Sequence, residues 1–334
     1  MSNNVKGGHL NKQSYANTRT TGKEQFYTDS KTVDLCLAEV KKHIDLTGEV
    51  ILEPCGGTGE FVSGLLRAGI PEDKIVSYDI EPKHPMVKQG NYLETDFDYK
   101  DYISITNPPF GRMSSLARDF FNHAATHSKY ICYLIPKSWR KWTTQNSLDK
   151  NFHLIADVDL PKNCFYLPDG TKNEKDVLNT VFQIWERREY KRKKIEIPDN
   201  KLIKKLQPTK KLVTVYQKEK TYLFKFEDGD FVPVEQDYFK KTSQKRPNKI
   251  KGANFEIILF GHSSGKCKEL DPTLEYEAKT TTMYLKIDRQ DVKDFLMNHD
   301  YSQYYNNVAY VSALSIAEIN YELNKHFGLK NFVF

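Results

Sequence analysis

The chain has 334 residues, of which 28% are charged and 39% hydrophobic, with a formal net charge of +6. That length allows two domains, and no apolar run approaches the roughly 20 residues that span a bilayer, so a helical membrane protein is not expected. Five cysteines (Cys36, Cys55, Cys132, Cys164 and Cys267) are scattered with no CxxC or Cys/His zinc spacing, so the chain reads as a metal-free protein of a reducing, cytoplasmic compartment rather than a zinc or disulfide scaffold.

Residues 1–22 have no apolar core of a signal peptide and read as a flexible polar arm. A helix is expected over 30–44, where Val33, Leu37, Val40 and Ile44 share a stripe and Asp29 or Ser30 supplies the N-cap. A buried strand over 49–52 leads into Glu53-Pro54-Cys55-Gly56-Gly57-Thr58-Gly59, and a helix over 60–68 follows. A second strand, 74–78, ends in Asp79-Ile80, and a third short element surrounds 87–93. The fourth strand, Tyr102-Ile103-Ser104-Ile105, runs into Asn107-Pro108-Pro109-Phe110. A helix over 115–127, a β-prone run over 130–135 and strands at 157–160 and 177–185 complete the series. Strands alternating with helical stretches predict a mostly parallel, doubly wound α/β sheet. The sequence turns basic near 187–200, which divides a domain over 23–190 from a smaller α+β domain over 191–334. In the second domain VTVYQ, TYLFKF, FEIILF and TTMYLKI read as strands and 313–327 as a closing helix.

Two places carry chemistry. In Asn107-Pro108-Pro109-Phe110 the two prolines fix φ and remove two N–H donors, and Pro108 keeps Asn107 out of the helical region. The result is a stiff corner that offers an amide, bare carbonyls and a phenyl ring, a set suited to a flat ring bearing an amino group. In the glycine stretch, backbone can approach a ligand closely between strand and helix. It is neither Gly-x-Gly-x-x-Gly nor a P-loop, and Glu53 at its entrance disfavours phosphate and favours a cationic ligand. Asp79, ending the neighbouring strand, is placed to accept from ribose hydroxyls.

With these residues in view, the chain resembles the S-adenosylmethionine-dependent methyltransferases that modify the exocyclic amine of adenine in nucleic acids. Lys23-Glu24-Gln25-Phe26-Tyr27-Thr28 is similar to the N-terminal cofactor motif, Glu53, Gly57 and Gly59 to the glycine-loop motif, and Asp79 to the ribose-binding acid. Asn107-Pro108-Pro109-Phe110 is similar to the catalytic motif, and Phe165 to the aromatic residue that stacks on the far face of the base, with Tyr166 as the alternative. The motif order is similar to the gamma arrangement of DNA adenine methyltransferases, and the resemblance covers about residues 23–186. It implies a Rossmann-like methyltransferase sheet, S-adenosylmethionine as cofactor, and a cofactor site formed by Tyr27, Thr28, Glu53, Gly57, Gly59, Asp79, Ile80 and Tyr92. One departure is that the usual acid after the third strand is replaced in Gly90-Asn91-Tyr92-Leu93, so Asn91, or Asp96 after a register shift, would meet the cofactor adenine.

The resemblance implies a bacterial or phage-encoded enzyme of restriction–modification or orphan type. Asn107 and the Pro108 carbonyl would accept the amine hydrogens of a flipped-out adenine, with Phe110 and Phe165 stacking on it. Double-stranded DNA is the expected partner. An RNA adenine or cytosine amino-group enzyme, or a catalytically idle nucleic-acid-binding module, are the rivals. Charge agrees with a polyanion partner: residues 187–220 hold 13 Lys/Arg against 4 Asp/Glu, and 240–251 hold 6 and no acid. Lys240, Lys241, Lys245, Arg246, Lys249 and Lys251 are candidate nucleic-acid contacts. Lys137 and Arg140, after the fifth strand, are candidates for phosphate or belong to a plain surface turn.

Overall fold

The computed structural model describes residues 26–111, 114–162, 164–167, 169–172, 178–208, 213–227, 230–245, 249–305 and 312–330. The expected polar arm and residues 23–25 of the first motif lie outside them. The described chain divides into two compact units, one over 26–197 with 302–312 and one over 198–301 with 313–330.

In the first unit seven strands share one sheet: β2 (Ile51–Glu53), β3 (Ile75–Asp79), β4 (Val87–Gln89), β5 (Tyr102–Thr106), β6 (Ser128–Pro136), β7 (Phe152–Asp159) and β9 (Thr180–Arg187). A separate pair is formed by β1 (Tyr27–Thr28) and β8 (Phe165–Tyr166). The sheet order is β4-β3-β2-β5-β6-β9-β7. Pairing is parallel from β4 to β6, whereas β9 runs antiparallel to both β6 and β7.

Helices cover both faces, as the two-residue alternation of the strands requires. Ile51, Ile103, Ile105, Cys132 and Leu134 point to a core shared with Val33, Leu37 and Val40 of α1 (Ser30–His43) and Phe61, Val62 and Leu65 of α2 (Glu60–Arg67). Leu52, Ile131, Tyr133 and Ile135 point to the other core, with Ala117, Phe120, Phe121 and Ala124 of α3 (Ser115–Ala124). The start of α1 is fixed by Asp29, whose carboxylate accepts from the Thr32 N–H at 2.7 Å. Each buried Leu or Ile here contributes about 1.5–3 kcal/mol of transfer free energy, so the doubly wound frame is held chiefly by these two cores.

The sheet is the expected doubly wound one, with two differences. The seventh strand begins at Phe152, well ahead of the expected 157–160, because its alternating residues pair with β9 as far as Arg187. Its antiparallel partner β9 makes the sheet mixed, a feature that strand propensity alone does not encode.

In the second unit β10 (Lys204–Lys205), β14 (Phe255–Ile258), β15 (Cys267–Glu269) and β17 (Thr282–Lys286) form a four-stranded antiparallel sheet in the order β10-β17-β14-β15. Strands β13 (Lys249–Lys251) and β16 (Glu275–Glu277) pair separately. The unit also holds α4 (Gln290–Asn298) and α5 (Ile316–His326), the latter started by a capping box between Ser315 and Glu318. The runs VTVYQ and TYLFKF belong to a single strand, β11 (Val213–Glu227), which pairs with β12 (Asp230–Lys245) as a two-stranded ribbon. The charged residues Lys218-Glu219-Lys220 interrupt the apolar pattern but not the ladder. Among the described residues no helix is long and apolar enough to cross a membrane.

Candidate active site

The carboxyl ends of β2, β3 and β5 meet where the strand order reverses, the place at which open α/β sheets form crevices. A cavity of about 430 Å³ lies there, within the range of cofactor sites. Tyr27, Thr28, Glu53, Gly57, Asp79, Ile80, Asn91, Tyr92, Asn107, Pro108, Pro109 and Phe110 all line it, together with Phe26, Pro54, Cys55 and Glu81.

At one end is the glycine loop. Gly57 adopts φ +48°, and a Cβ there would lie 3.0 Å from the Tyr27 ring. Its N–H donates to Asp79 Oδ2 at 2.8 Å, while Asp79 Oδ1 accepts from the Glu81 N–H at 2.8 Å. The Asp79 carboxylate is thus aimed by two backbone donors with lone pairs remaining for a ligand. Ile80 is 53% exposed beside it, an apolar side chain presented to the cavity. Asn91 caps the turn after β4, its side-chain oxygen accepting from the Leu93 N–H at 3.2 Å. That commits the oxygen locally and leaves the amide nitrogen as the group for a ligand.

Glu53 ends β2 at 1% exposure. Its Oε1 accepts from the Thr106 hydroxyl and from the Cys55 N–H at 3.2 Å. Among the described residues its Oε2 has no hydrogen-bond partner. Burial pushes its pKa up to about 8, against the lowering effect of the Thr106 and Cys55 bonds. Such a group awaits a cationic or hydrogen-bonding partner, since an unpaired buried acceptor costs about 1–3 kcal/mol.

At the other end is the Asn-Pro-Pro-Phe corner. Asn107 Nδ2 donates to the Phe26 carbonyl at 2.9 Å and to Thr28 Oγ1 at 3.2 Å. Those two bonds fix the amide so that Oδ1, buried and without a partner among the described residues, is the remaining acceptor. The corner is bound to the glycine loop through Cys55, whose Sγ lies 2.8 Å from Thr106 Oγ1 and 3.2 Å from the Asn107 carbonyl oxygen. Burial raises the Cys55 thiol well above its ordinary value, so it is a neutral bridge and not a thiolate nucleophile.

Four groups of expected site residues stand elsewhere. Gly59 does not line the cavity; it caps α2 at φ +79°, where a Cβ would meet the His84 ring at 2.3 Å, so its role is to allow the turn. Asp96 also lies outside the lining, and of the two alternatives only Asn91 faces the cavity. Phe165 is 1% exposed and packs behind Phe26, with ring centroids 5.8 Å apart, because the β1–β8 pairing sets Phe165 opposite Thr28. Lys137 and Arg140 are held by acids on β7. Arg140 pairs with Asp157 at 2.5 Å and Asp159 at 2.7 Å, and Lys137 with Asp159 at 2.8 Å. Their charge is largely compensated within the sheet edge.

The basic stretch 240–251 is not one loop. Lys240, Lys241 and Lys245 belong to β12, Arg246 lies outside the described residues, and Lys249 and Lys251 sit on β13, each paired with Glu275. Those last two therefore offer less net charge than the sequence implies. Phe26, Cys55 and Glu81, none of them among the expected site residues, also line the cavity, and Thr106 supports Glu53 from outside the lining. Only for Thr106 did the sequence hold a signal, a hydroxyl ending a buried strand beside the asparagine.

No protein-family model matches this chain, and no curated protein matches it by sequence. Similar solved structures include one described as an RNA methyltransferase from Pyrococcus horikoshii, at 18% identity and TM-score 0.40 over 49% of this chain and 88% of that one. One described as a class I S-adenosylmethionine-dependent methyltransferase from Listeria monocytogenes has 14% identity and TM-score 0.36, over 52% of this chain and 64% of that one. One described as the modification subunit of a type I restriction enzyme from Vibrio vulnificus has 17% identity and TM-score 0.36, over 51% and 46%.

Proposed function

We propose that the cavity binds S-adenosylmethionine and transfers its methyl group to the exocyclic N6 amine of adenine in DNA. The observation that carries this reading is the pair of buried oxygens without a partner among the described residues, Glu53 Oε2 and Asn107 Oδ1, on two residues that line one cavity. The first suits a cationic amino group, and the second suits an N–H of the acceptor. Asp79 would hold ribose hydroxyls, and Ile80, Tyr92 and Asn91 the adenine of the cofactor. When bound, the cofactor supplies an electrophilic methyl on a sulfonium.

The chain's own contribution is positioning and electrostatics. An exocyclic amine is a poor nucleophile because its lone pair is delocalised into the ring. Asn107 Oδ1 and the Pro108 carbonyl accept its two hydrogens and favour a tetrahedral nitrogen with the lone pair directed away from them. The neutral thiol of Cys55 and its place in the glycine loop give it no part in a covalent intermediate. In a duplex the base must first leave the stack, at a cost of a few kcal/mol.

The test offers cofactor labelled in the methyl group with duplex DNA, single-stranded DNA and RNA, and identifies the methylated nucleoside. Labelled N6-methyladenine in DNA is expected; label confined to RNA or to cytosine would replace the substrate, and no label anywhere would remove the activity. Asn107→Ala is expected to reduce transfer by at least about 100-fold, the scale of losing one oriented hydrogen-bonding group at a reacting centre. Binding of S-adenosylhomocysteine by this variant should stay within a few-fold of wild type in calorimetry.

A further inference from the structure

The acids Glu53, Glu60, Asp79 and Glu81 line the cavity, and among the described residues no lysine or arginine lines it. Only Glu60 has a nearby cation, Arg67 at 3.5 Å. Such a lining suits an amino group and ribose hydroxyls. It repels the carboxylate that an amino acid carries beside its amino group, so that carboxylate needs a cation of its own. Lys83 stands next to the cavity wall. Its N–H donates to the Gly57 carbonyl at 2.9 Å, which fastens it to the glycine loop. Its ammonium lies 4.8 Å from the centroid of the Tyr27 ring. Tyr27 lines the cavity, and its ring lies against Gly57. The backbone on either side of Lys83 is pinned as well. The Glu81 N–H donates to Asp79 at 2.8 Å, and the His84 ring fills the space where Gly59 lacks a Cβ.

We infer that Lys83 pairs with the carboxylate at the amino-acid end of the cofactor, an inference that rests on the cofactor reading above. Amino group and carboxylate share one carbon. A ligand whose amino group meets Glu53, where the glycine loop begins, therefore brings its carboxylate close to that loop. Lys83 is exposed, and an exposed cation–ring contact is weak. Its flexible four-carbon stem can exchange the Tyr27 ring for a carboxylate without moving the backbone. Glu53 and Lys83 then read the two ends of a zwitterion with opposite charges. An adenosine nucleotide would instead bring phosphates among the acids, so the arrangement selects a nucleoside that carries an amino acid.

The experiment measures binding to wild type, Lys83→Met and Lys83→Arg by calorimetry. The two ligands are S-adenosylhomocysteine and its decarboxylated form, which keeps the amino group. Lys83→Met is expected to weaken S-adenosylhomocysteine roughly 3- to 30-fold, between an exposed ion pair and a full hydrogen bond to a charged group. Binding of the decarboxylated form should change by less than about two-fold in the same variant, since it has no charge for Lys83 to meet. Lys83→Arg keeps the charge and should bind S-adenosylhomocysteine within about three-fold of wild type. Equal losses for both ligands would make Lys83 a support of the loop and overturn the pairing, as would no loss for either. Both outcomes leave the cofactor reading standing. Failure of wild type to bind either ligand overturns that reading and the pairing with it.

Discussion

Glu53 illustrates how one buried side chain sets the pH behaviour of a site. Its carboxyl, raised by burial to about 8 from an ordinary 4.5, is protonated in the empty cavity at neutral pH. A cationic ligand at Oε2 favours the carboxylate, so binding must expel the proton. Affinity for S-adenosylmethionine should rise with pH and level off above about 8. Calorimetry in two buffers of different ionisation enthalpy measures the release directly, and identical heats in both would remove Glu53 as the responding group. The stability of the empty protein runs the other way. Between about 4.5 and 8 the folded state binds more protons at Glu53 than the unfolded state, so stability falls as pH rises through that window. Glu53→Gln should flatten that fall and weaken the cofactor by roughly 10- to 100-fold, the range for a hydrogen bond to a charged group. At this scale much was legible in the sequence: Glu53, Asp79 and Asn107 declare themselves by standing at strand ends. The bridging role of Cys55 did not, because it depends on a thiol reaching across to the Asn107 carbonyl.

Between residue and molecule, the elements hold the site by cross-links that sequence order hides. The two-residue pairing of β1 with β8 joins Thr28 to Phe165, which no periodicity in either stretch could reveal, and it leaves Phe165 buried against Phe26 and outside the cavity lining. The turn after β4 is fixed in a similar way. Tyr92, a cavity residue, donates or accepts at His127 Nε2 over 2.9 Å, and His127 follows α3. Burial, with His123, Lys100 and Arg187 nearby, lowers His127 to about 3 from 6.5. The unfolded chain therefore binds more protons there between about 6.5 and 3, and the stability that the neutral imidazole contributes is lost as pH falls through that window. His127→Gln should lower stability at pH 7 by about 1–2 kcal/mol through the lost Tyr92 bond, yet flatten the acid limb. Thermal melts from pH 7 to pH 4 check this, and an unchanged acid limb would move the titration elsewhere. The ion pairs of Lys137 and Arg140 belong to the same scale, since Asp157 and Asp159 sit on β7, a strand remote in the sequence from the turn after β6.

For the whole molecule, the proposed nucleic-acid substrate would have to meet a chain of net charge +6. Lys137 and Arg140 are paired to acids in the first unit, and Lys249 and Lys251 to Glu275 in the second. The remaining members of the expected set on described strands are Lys240, Lys241 and Lys245 of β12. In the ribbon register they stand opposite Gln217, Tyr216 and Val213. Lys220, by contrast, stands opposite Asp237. Each cation that neutralises a phosphate releases about 0.9 counterion from duplex DNA, so the slope of log affinity against log salt counts such contacts. Replacing Lys240, Lys241 and Lys245 together by Gln should reduce that slope by about 3 and weaken DNA binding most at low salt. Replacing Lys220 should leave the slope nearly unchanged, and cofactor affinity should be unaffected in both. Fluorescence anisotropy with a labelled duplex between about 50 and 200 mM salt gives the slopes. Equal slopes for wild type and the triple variant would mean that β12 does not carry the phosphate contacts. The basic stretch over 187–220 would then become the surface to vary, since it holds 13 Lys/Arg against 4 acids.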